Sequence, residues 1–299
     1  MEGRNAIITG ASHGIGTHIA RALSGRGVNL LLVARSESEL ARLARELRSA
    51  GPKVAFAAID LSGPRAAEQV VAAATSELSS VDFLVNNAAV ELQRRFHNLD
   101  IDDIEHVIRV DLITPVVLSR LLLPQMLDQG YGRIVNISSL AGHVGFPFSE
   151  AYAASKDGLI AFSRVLRNDY RRAGVSASAI VLGTVKEAGI GQRTLDEFDL
   201  KTNTSFMVTP EKVADAVIRA IDKDKAEIVV MPGPGRLMKA LMDLFPGFGP
   251  AMTRISGGGK VMEQVADLRD AAHAAALASA AGAEHAPLAS RSRTASDAC

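Results

Sequence analysis

With 299 residues, 47% of them apolar, the chain carries enough hydrophobic side chain for a substantial core, which excludes a disordered or fibrous protein. Thirty-three Lys and Arg against thirty-three Asp and Glu give zero net charge, so no global field argues for nucleic acid or an anionic membrane. The single cysteine, Cys299, excludes an intrachain disulfide framework. Residues 1–5 lack a signal peptide's cationic start and apolar stretch, and no uncharged apolar run is long enough to span a bilayer. A cytoplasmic protein is expected.

Residues 6–9 read as a first strand, followed by a glycine turn and a helix from about 14 to 26. Residues 28–33 form a second strand without polar alternation, as in a strand covered on both faces. Ser36 and Glu39 have capping-box spacing and open a helix to about residue 50. Further strands are predicted at 54–59, 81–85, 133–137, 175–181 and 227–231, with helices at about 63–79, 102–128, 150–173 and 210–222. Thr209, Pro210 and Glu211 supply an N-cap, a first-turn proline and a dipole-matching acid. The alternation predicts an α/β fold, a doubly wound, seven-stranded parallel sheet with helices on both faces (a Rossmann fold) in a single domain, residues 1–232. Such sheets bind ligands at the carboxyl ends of their strands. Residues 233–268 read as an amphipathic C-terminal extension, and 269–299 as an Ala/Ser-rich tail expected to be mobile. Segment 235–254 suits packing on the chain's own core or on another subunit better than a peripheral membrane contact.

The first strand runs into Thr9-Gly10-Ala11-Ser12-His13-Gly14-Ile15-Gly16. Glycines there let a backbone approach a pyrophosphate, and the next helix N-terminus offers it positive potential. The second strand ends Val33-Ala34-Arg35, with no acid for an adenosine ribose. Arg35 instead offers a guanidinium suited to a 2′-phosphate, with Ser12 and His13 on the neighbouring turn. NADP(H) is therefore expected in preference to NAD(H). Asp60 and Leu61 after the third strand, and Asn87, Ala88 and Ala89 after the fourth, surround the same crevice.

After the fifth strand comes Ser139, and Tyr152 stands thirteen residues on, with Lys156 one helical turn beyond it. An ammonium beside the phenol favours phenolate and is expected to lower the Tyr152 pKa. A tuned tyrosine passes a proton to or from a carbonyl oxygen as hydride moves at carbon, while the Ser139 hydroxyl holds that oxygen.

The Thr9–Gly16 turn, the run Asn86-Asn87-Ala88-Ala89, Ser139 before Leu140-Ala141-Gly142, and the Tyr152/Lys156 pair together resemble the short-chain dehydrogenase/reductase family over residues 1 to about 232. The resemblance implies a Ser139/Tyr152/Lys156 catalytic group, with Lys156 also binding the nicotinamide ribose. It implies NADP(H)-dependent interconversion of a carbonyl compound and an alcohol, in a homodimer or homotetramer formed through helices 102–128 and 150–173. Asp111 stands where the family usually completes a proton relay with asparagine. Pro115 is expected to break the helix and free the Asp111 carbonyl for a relay water beside Lys156. After the sixth strand, Leu182 replaces a proline, which is expected to loosen the turn, and Glu187 replaces a threonine expected near the nicotinamide carboxamide. Gly183 and Val185 still offer backbone groups. These departures leave an alternative, a nucleotide-binding sensor or scaffold with little or no turnover.

On the substrate side, His143, Phe146 and Phe148, with Val90 and Leu92, are expected to border an apolar pocket. Residues 188–208, with Gly189, Gly191, Phe198 and Phe206, read as a lid that excludes water. The expected partner is a small carbonyl compound or alcohol; no metal and no nucleic acid are expected.

Overall fold

The computed structural model describes residues 1–49, 51–200, 207–255 and 257–284. Strands β1 (Asn5–Thr9), β2 (Asn29–Ala34), β3 (Val54–Ala58), β4 (Phe83–Asn86), β5 (Gly132–Ser139), β6 (Val175–Leu182) and β7 (Glu227–Val230) form one sheet. Its order is β3-β2-β1-β4-β5-β6-β7, and every neighbouring pair is parallel. This is the doubly wound sheet expected from the alternation of elements.

Aliphatic residues fill the strands because both faces are covered. On one face Ile8, Leu32, Val135 and Ile180 pack against helices α1 (Ile15–Ser24), α2 (Glu37–Arg48) and α9 (Pro210–Lys223). On the other, Ile7, Leu31, Leu84 and Ile134 meet α3 (Ala66–Glu77), α5 (Thr114–Asp128) and α7 (Glu150–Tyr170). Connections reverse direction between β1 and β4, which opens a crevice at the carboxyl ends of the strands. Ser36 occupies the N-cap position of α2 as expected, but its hydroxyl lies 3.4 Å from that of Ser38 and makes no capping bond.

The helix expected over 102–128 is not broken at Pro115. α4 (Ile101–Ile108) passes through one π turn (Arg109–Ile113) directly into α5. The Thr114 N–H donates to the Arg109 carbonyl five residues back, and the widened turn absorbs the proline's missing donor without ending the helix.

Beyond β7 the chain forms α10 (Gly235–Leu244), α11 (Phe248–Ile255) and α12 (Gly258–Glu284). Residues 269–284, expected in a mobile tail, continue α12; residues 285–299, Cys299 among them, lie outside the described residues. Met262, Val265 and Ala266 bury one stripe of α12. Ion pairs fasten the helix across the segment after β4: Arg94 to Asp270 at 3.1 Å and Arg95 to Asp267 at 2.6 Å. In α10, Met238 and Met242 join the core beside Val144 and Val181, while Leu237, Leu244 and Phe245 are exposed. No helix among the described residues is long and apolar enough to cross a membrane.

Candidate active site

A cavity of about 820 Å³ opens at the carboxyl ends of the strands. Most of the expected cofactor residues line it: Gly10, Ser12, His13, Gly14 and Ile15 of the first turn, Arg35, Asp60, Leu61, Asn87, Ala88, Ala89, Gly183 and Val185. Gly16 lies behind the turn, where a Cβ would sit 2.1 Å from the Gly10 carbonyl oxygen. Gly10 and Gly14 adopt φ of +67° and +62°, and added Cβ atoms there would fall 2.7 Å from Ala88 Cα and 2.5 Å from the Ala188 carbonyl. Asn87 braces the turn by donating from Nδ2 to the carbonyls of Thr9 (3.0 Å) and Gly10 (3.1 Å). The residues present thus fit a dinucleotide, whose pyrophosphate would lie along this side-chain-free backbone.

Cations gather at the adenosine end. His13 shares a 2.7 Å hydrogen bond with the Ser12 hydroxyl through Nδ1, and Arg193 donates to its Nε2. Burial first, then the neighbouring Arg193 and Arg35, push the His13 pKa down. Arg193 comes from α8 (Ile190–Glu197), inside the segment expected to be a lid, where no local pattern singles it out. Asp60 is partly committed to its own turn, accepting hydrogen bonds from the Ser62 amide (2.9 Å) and hydroxyl (2.8 Å), which hold its pKa low.

At the other end, Ser139 closes β5 while Tyr152 and Lys156 share one face of α7, and all three line the cavity. Ser139 is hydrogen-bonded to Tyr152 and its Oγ accepts the Ala141 N–H at 3.1 Å. Lys156 Nζ lies 5.4 Å from the Tyr152 ring centroid and donates to the Ile137 carbonyl at 3.3 Å. Its charge partner is Asp111: the carboxylate Oδ2 stands 3.1 Å from Nζ, while Oδ1 accepts the Val90 N–H at 2.8 Å. Both side chains are buried, 0% exposed for Asp111 and 3% for Lys156. Residue 111 meets the lysine through its side-chain carboxylate.

The expected lowering of the tyrosine's pKa is reversed. Burial, then the carboxyl groups of Glu91 and Asp111, raise the Tyr152 pKa well above 10, against the hydrogen bond from Ser139. Burial likewise raises Asp111, opposed by Lys156 and the Val90 N–H. Glu91 escaped the sequence reading. Its carboxyl accepts a 2.8 Å hydrogen bond from Ser149 and lines the cavity beside Tyr152, and burial pushes its pKa up. The only signal was an acid in the run Val90-Glu91-Leu92, directly after Asn86–Ala89.

The substrate side differs from expectation. Val90 and Phe146 line the cavity, but Leu92, His143 and Phe148 do not. His143 Nδ1 faces Asp243 at 3.4 Å and Asp157 at 3.8 Å, and Phe148 lies under the Arg95 guanidinium at 5.6 Å. In their place stand Leu195 and Met207, with Met252, Ile255, Val261 and Met262 of the C-terminal helices. Phe198 packs against Arg269, and Phe206 lies outside the described residues. Of the other two departures, Leu182 lines the cavity and Glu187 does not. Leu182 does not loosen its turn: it pairs with Ser139 and Val230 in the sheet, and the Gly183 N–H donates to Val230 at 2.9 Å. Glu187 adopts φ +63° and points into solvent, its side chain 75% exposed and 3.4 Å from Lys186.

Comparison with known proteins agrees with this geometry. A family model described as short chain dehydrogenase matches residues 4–198. Ketoacyl reductase HetN of Nostoc sp. is 35% identical over 234 residues, 78% of this chain and 80% of that protein. A fatty acyl-CoA reductase of Acinetobacter baylyi is 31% identical over 235 residues, 78% of each. Among solved structures, a metagenomic short-chain oxidoreductase in complex with NADP is 30% identical, with a TM-score of 0.65 over 78% of this chain and 99% of that one.

Proposed function

The chain belongs to the short-chain dehydrogenase family, and from that premise we propose that it is an NADP(H)-dependent oxidoreductase interconverting a ketone or aldehyde with its alcohol. The observation that carries this reading is one cavity holding the glycine turn and Arg35 at one end and Ser139, Tyr152 and Lys156 at the other. The bound cofactor would supply or accept the hydride. In this reading the Ser139 hydroxyl holds the substrate oxygen, and the Tyr152 hydroxyl gives it a proton or takes one back. Lys156 holds the nicotinamide ribose and sits beside Tyr152 in the proton path, its charge balanced by Asp111. Arg35, His13 and Arg193 would meet the 2′-phosphate, and α8 would close over the reacting carbon. Exposed Ile113, Leu121 and Val165 on α5 and its neighbours fit a homo-oligomer in the cytoplasm.

The test is NADPH oxidation by the purified protein against a panel of ketones and aldehydes, beside a Tyr152→Phe variant. Turnover that falls about 10²–10⁴-fold in the variant while NADPH still binds supports the reading. NADPH binding without turnover of any carbonyl compound would transfer support to the sensor or scaffold alternative.

A further inference from the structure

The proposed reaction leaves the substrate class open, and the charges around the cavity narrow it; this inference rests on that reading. Seven ionisable side chains that carry charge near neutral pH, or come close to it, line the cavity: His13, Arg35, Asp60, Glu91, His106, Lys156 and Arg193. His13, Arg35 and Arg193 cluster at the adenosine end, around the first glycine turn. Among the described residues, Lys156 and Glu91 stand beside the reacting groups, and His106 lies within electrostatic reach of both Asp60 and Asp111. Lys156 is already paired with the buried carboxylate of Asp111 at 3.1 Å.

Glu91 is held in place from two sides. The Ser149 hydroxyl, immediately before α7, donates to Oε1 at 2.8 Å, and Arg269 of α12 donates to the Glu91 backbone carbonyl at 3.3 Å. The Arg269 guanidinium faces Glu91 but is committed elsewhere, to the Glu197 carboxylate at 3.2 Å and the Thr194 hydroxyl at 3.0 Å. It does not line the cavity. The rest of the wall here is largely apolar, with Val90, Phe146, Leu195, Met252, Val261 and Met262, interrupted by Thr253 and by Gln93, whose Nε2 donates to the Met262 sulfur at 3.1 Å. Glu91 therefore offers an acceptor for a hydrogen bond in either protonation state and a positive charge in neither.

We propose that Glu91 makes this site selective for carbonyl substrates that are uncharged around the carbonyl, such as 3-oxo esters and thioesters or simple ketones, and excludes the corresponding free acids. A substrate carboxylate placed beside Tyr152 would lose its water, find no unpaired cation among the described residues, and face the carboxyl groups of Glu91 and Asp111. With Glu91 ionised, two like charges about 5 Å apart at an effective permittivity of about 20 disfavour binding on the order of 100-fold. An uncharged ester meets none of this cost, and its apolar body matches the wall that α11 and α12 supply.

The experiment compares 3-oxobutanoate with its ethyl ester, which present the same ketone, using the full chain and NADPH. The expected wild-type kcat/KM favours the ester on the order of 100-fold. In Glu91→Gln, which keeps the acceptor for Ser149, the ratio narrows at least tenfold, chiefly through a lower KM for the acid; Glu91→Thr provides a second variant should the first fold poorly. A wild-type enzyme that turns over the acid as efficiently as the ester overturns the proposal. So does an unchanged ratio in a folded Glu91 variant. Loss of all carbonyl reduction would instead strike the hydride-transfer reading. The charge selection is then read by calorimetry of the NADP⁺-loaded protein with 3-hydroxybutyramide and 3-hydroxybutyrate, where equal affinity overturns it.

Discussion

Replacing Asp111 by asparagine tests whether the carboxylate on Lys156 tunes the tyrosine or merely fills space. Asp111 and Lys156 form an ion pair at 3.1 Å with side chains 0% and 3% exposed. Removing one partner from such a pair costs about 3–5 kcal/mol, because the remaining charge is left buried without compensation. Asparagine keeps an acceptor for the Val90 N–H, now 2.8 Å from Oδ1, so the lower end applies, about 3 kcal/mol. An unfolding entropy of about 2.1 cal/mol/K per residue gives roughly 0.6 kcal/mol/K for a chain of this length, and Tm should fall by about 5 °C. The second readout is the pH profile of alcohol oxidation, which needs the Tyr152 phenolate. The Asp111 carboxylate is one of the groups raising the Tyr152 pKa, so its removal moves the rising limb of that profile to lower pH. Differential scanning calorimetry and kcat/KM across pH measure the two effects. An unchanged profile with an unchanged Tm would show the carboxylate to be idle, and a shift to higher pH would refute the sign of the argument.

Arg35→Ala should weaken NADPH binding by roughly 10–100-fold, the loss of a charge-assisted bond worth about 1.5–3 kcal/mol, and leave NADH binding nearly unchanged; calorimetric titration with each cofactor decides it. Asp224→Asn probes stability far from the site. Burial opposes ionisation of Asp224, but hydrogen bonds from Arg167 (2.7 Å), Ser176 (2.6 Å) and Arg171 (2.9 Å) outweigh it and hold the carboxyl well below its usual range. A depressed pKa stabilises the fold above the unfolded-state value near 4, and that contribution is lost as pH falls through the folded-state value. The variant should therefore lose about 1–3 kcal/mol at neutral pH, and its stability should fall less steeply than wild type on acidification below about pH 4, as followed by urea unfolding.

The parts of this molecule that sequence made legible are those encoded by short-range pattern. Aliphatic runs such as residues 29–34 and 175–182 can only be strands covered on both faces, and they are. A glycine turn between a strand and a helix, and a tyrosine with a lysine one turn away, show in spacing alone. What escaped lies between residues distant in sequence. Arg269 reaches the Glu91 carbonyl across 178 positions, and Arg94 reaches Asp270 across 176. Composition made residues 269–284 look like a tail because alanine and serine carry no sign of the partners that order them. Yet Asp267, Arg269 and Asp270 each find an opposite charge on the body of the protein, and His273 lies 3.4 Å from Asp100. The tyrosine failed for the same reason: the i,i+4 rule brought Lys156 to Tyr152, but nothing local revealed that Asp111 also reaches the lysine.

The three departures from the family pattern are unequal, and geometry says why. Leu182 is absorbed because the strand supplies the hydrogen bonds a proline could not, and the pairing with Val230 runs through it. Glu187 is absorbed because a left-handed backbone turns its carboxylate into solvent, where water screens it. Asp111 can do neither. The π turn holds it wholly buried, with Lys156 3.1 Å away. A buried carboxylate there acts on every ionisable group around it, and Glu91 adds a second acid on the other side of Tyr152. Burial first, then these two carboxyl groups, raise the phenol's pKa, and the lysine beside it is already paired, so among the described residues no free cation stands there for an anionic substrate. Exchanging either acid should therefore move both the titration of Tyr152 and the charge of the molecule admitted.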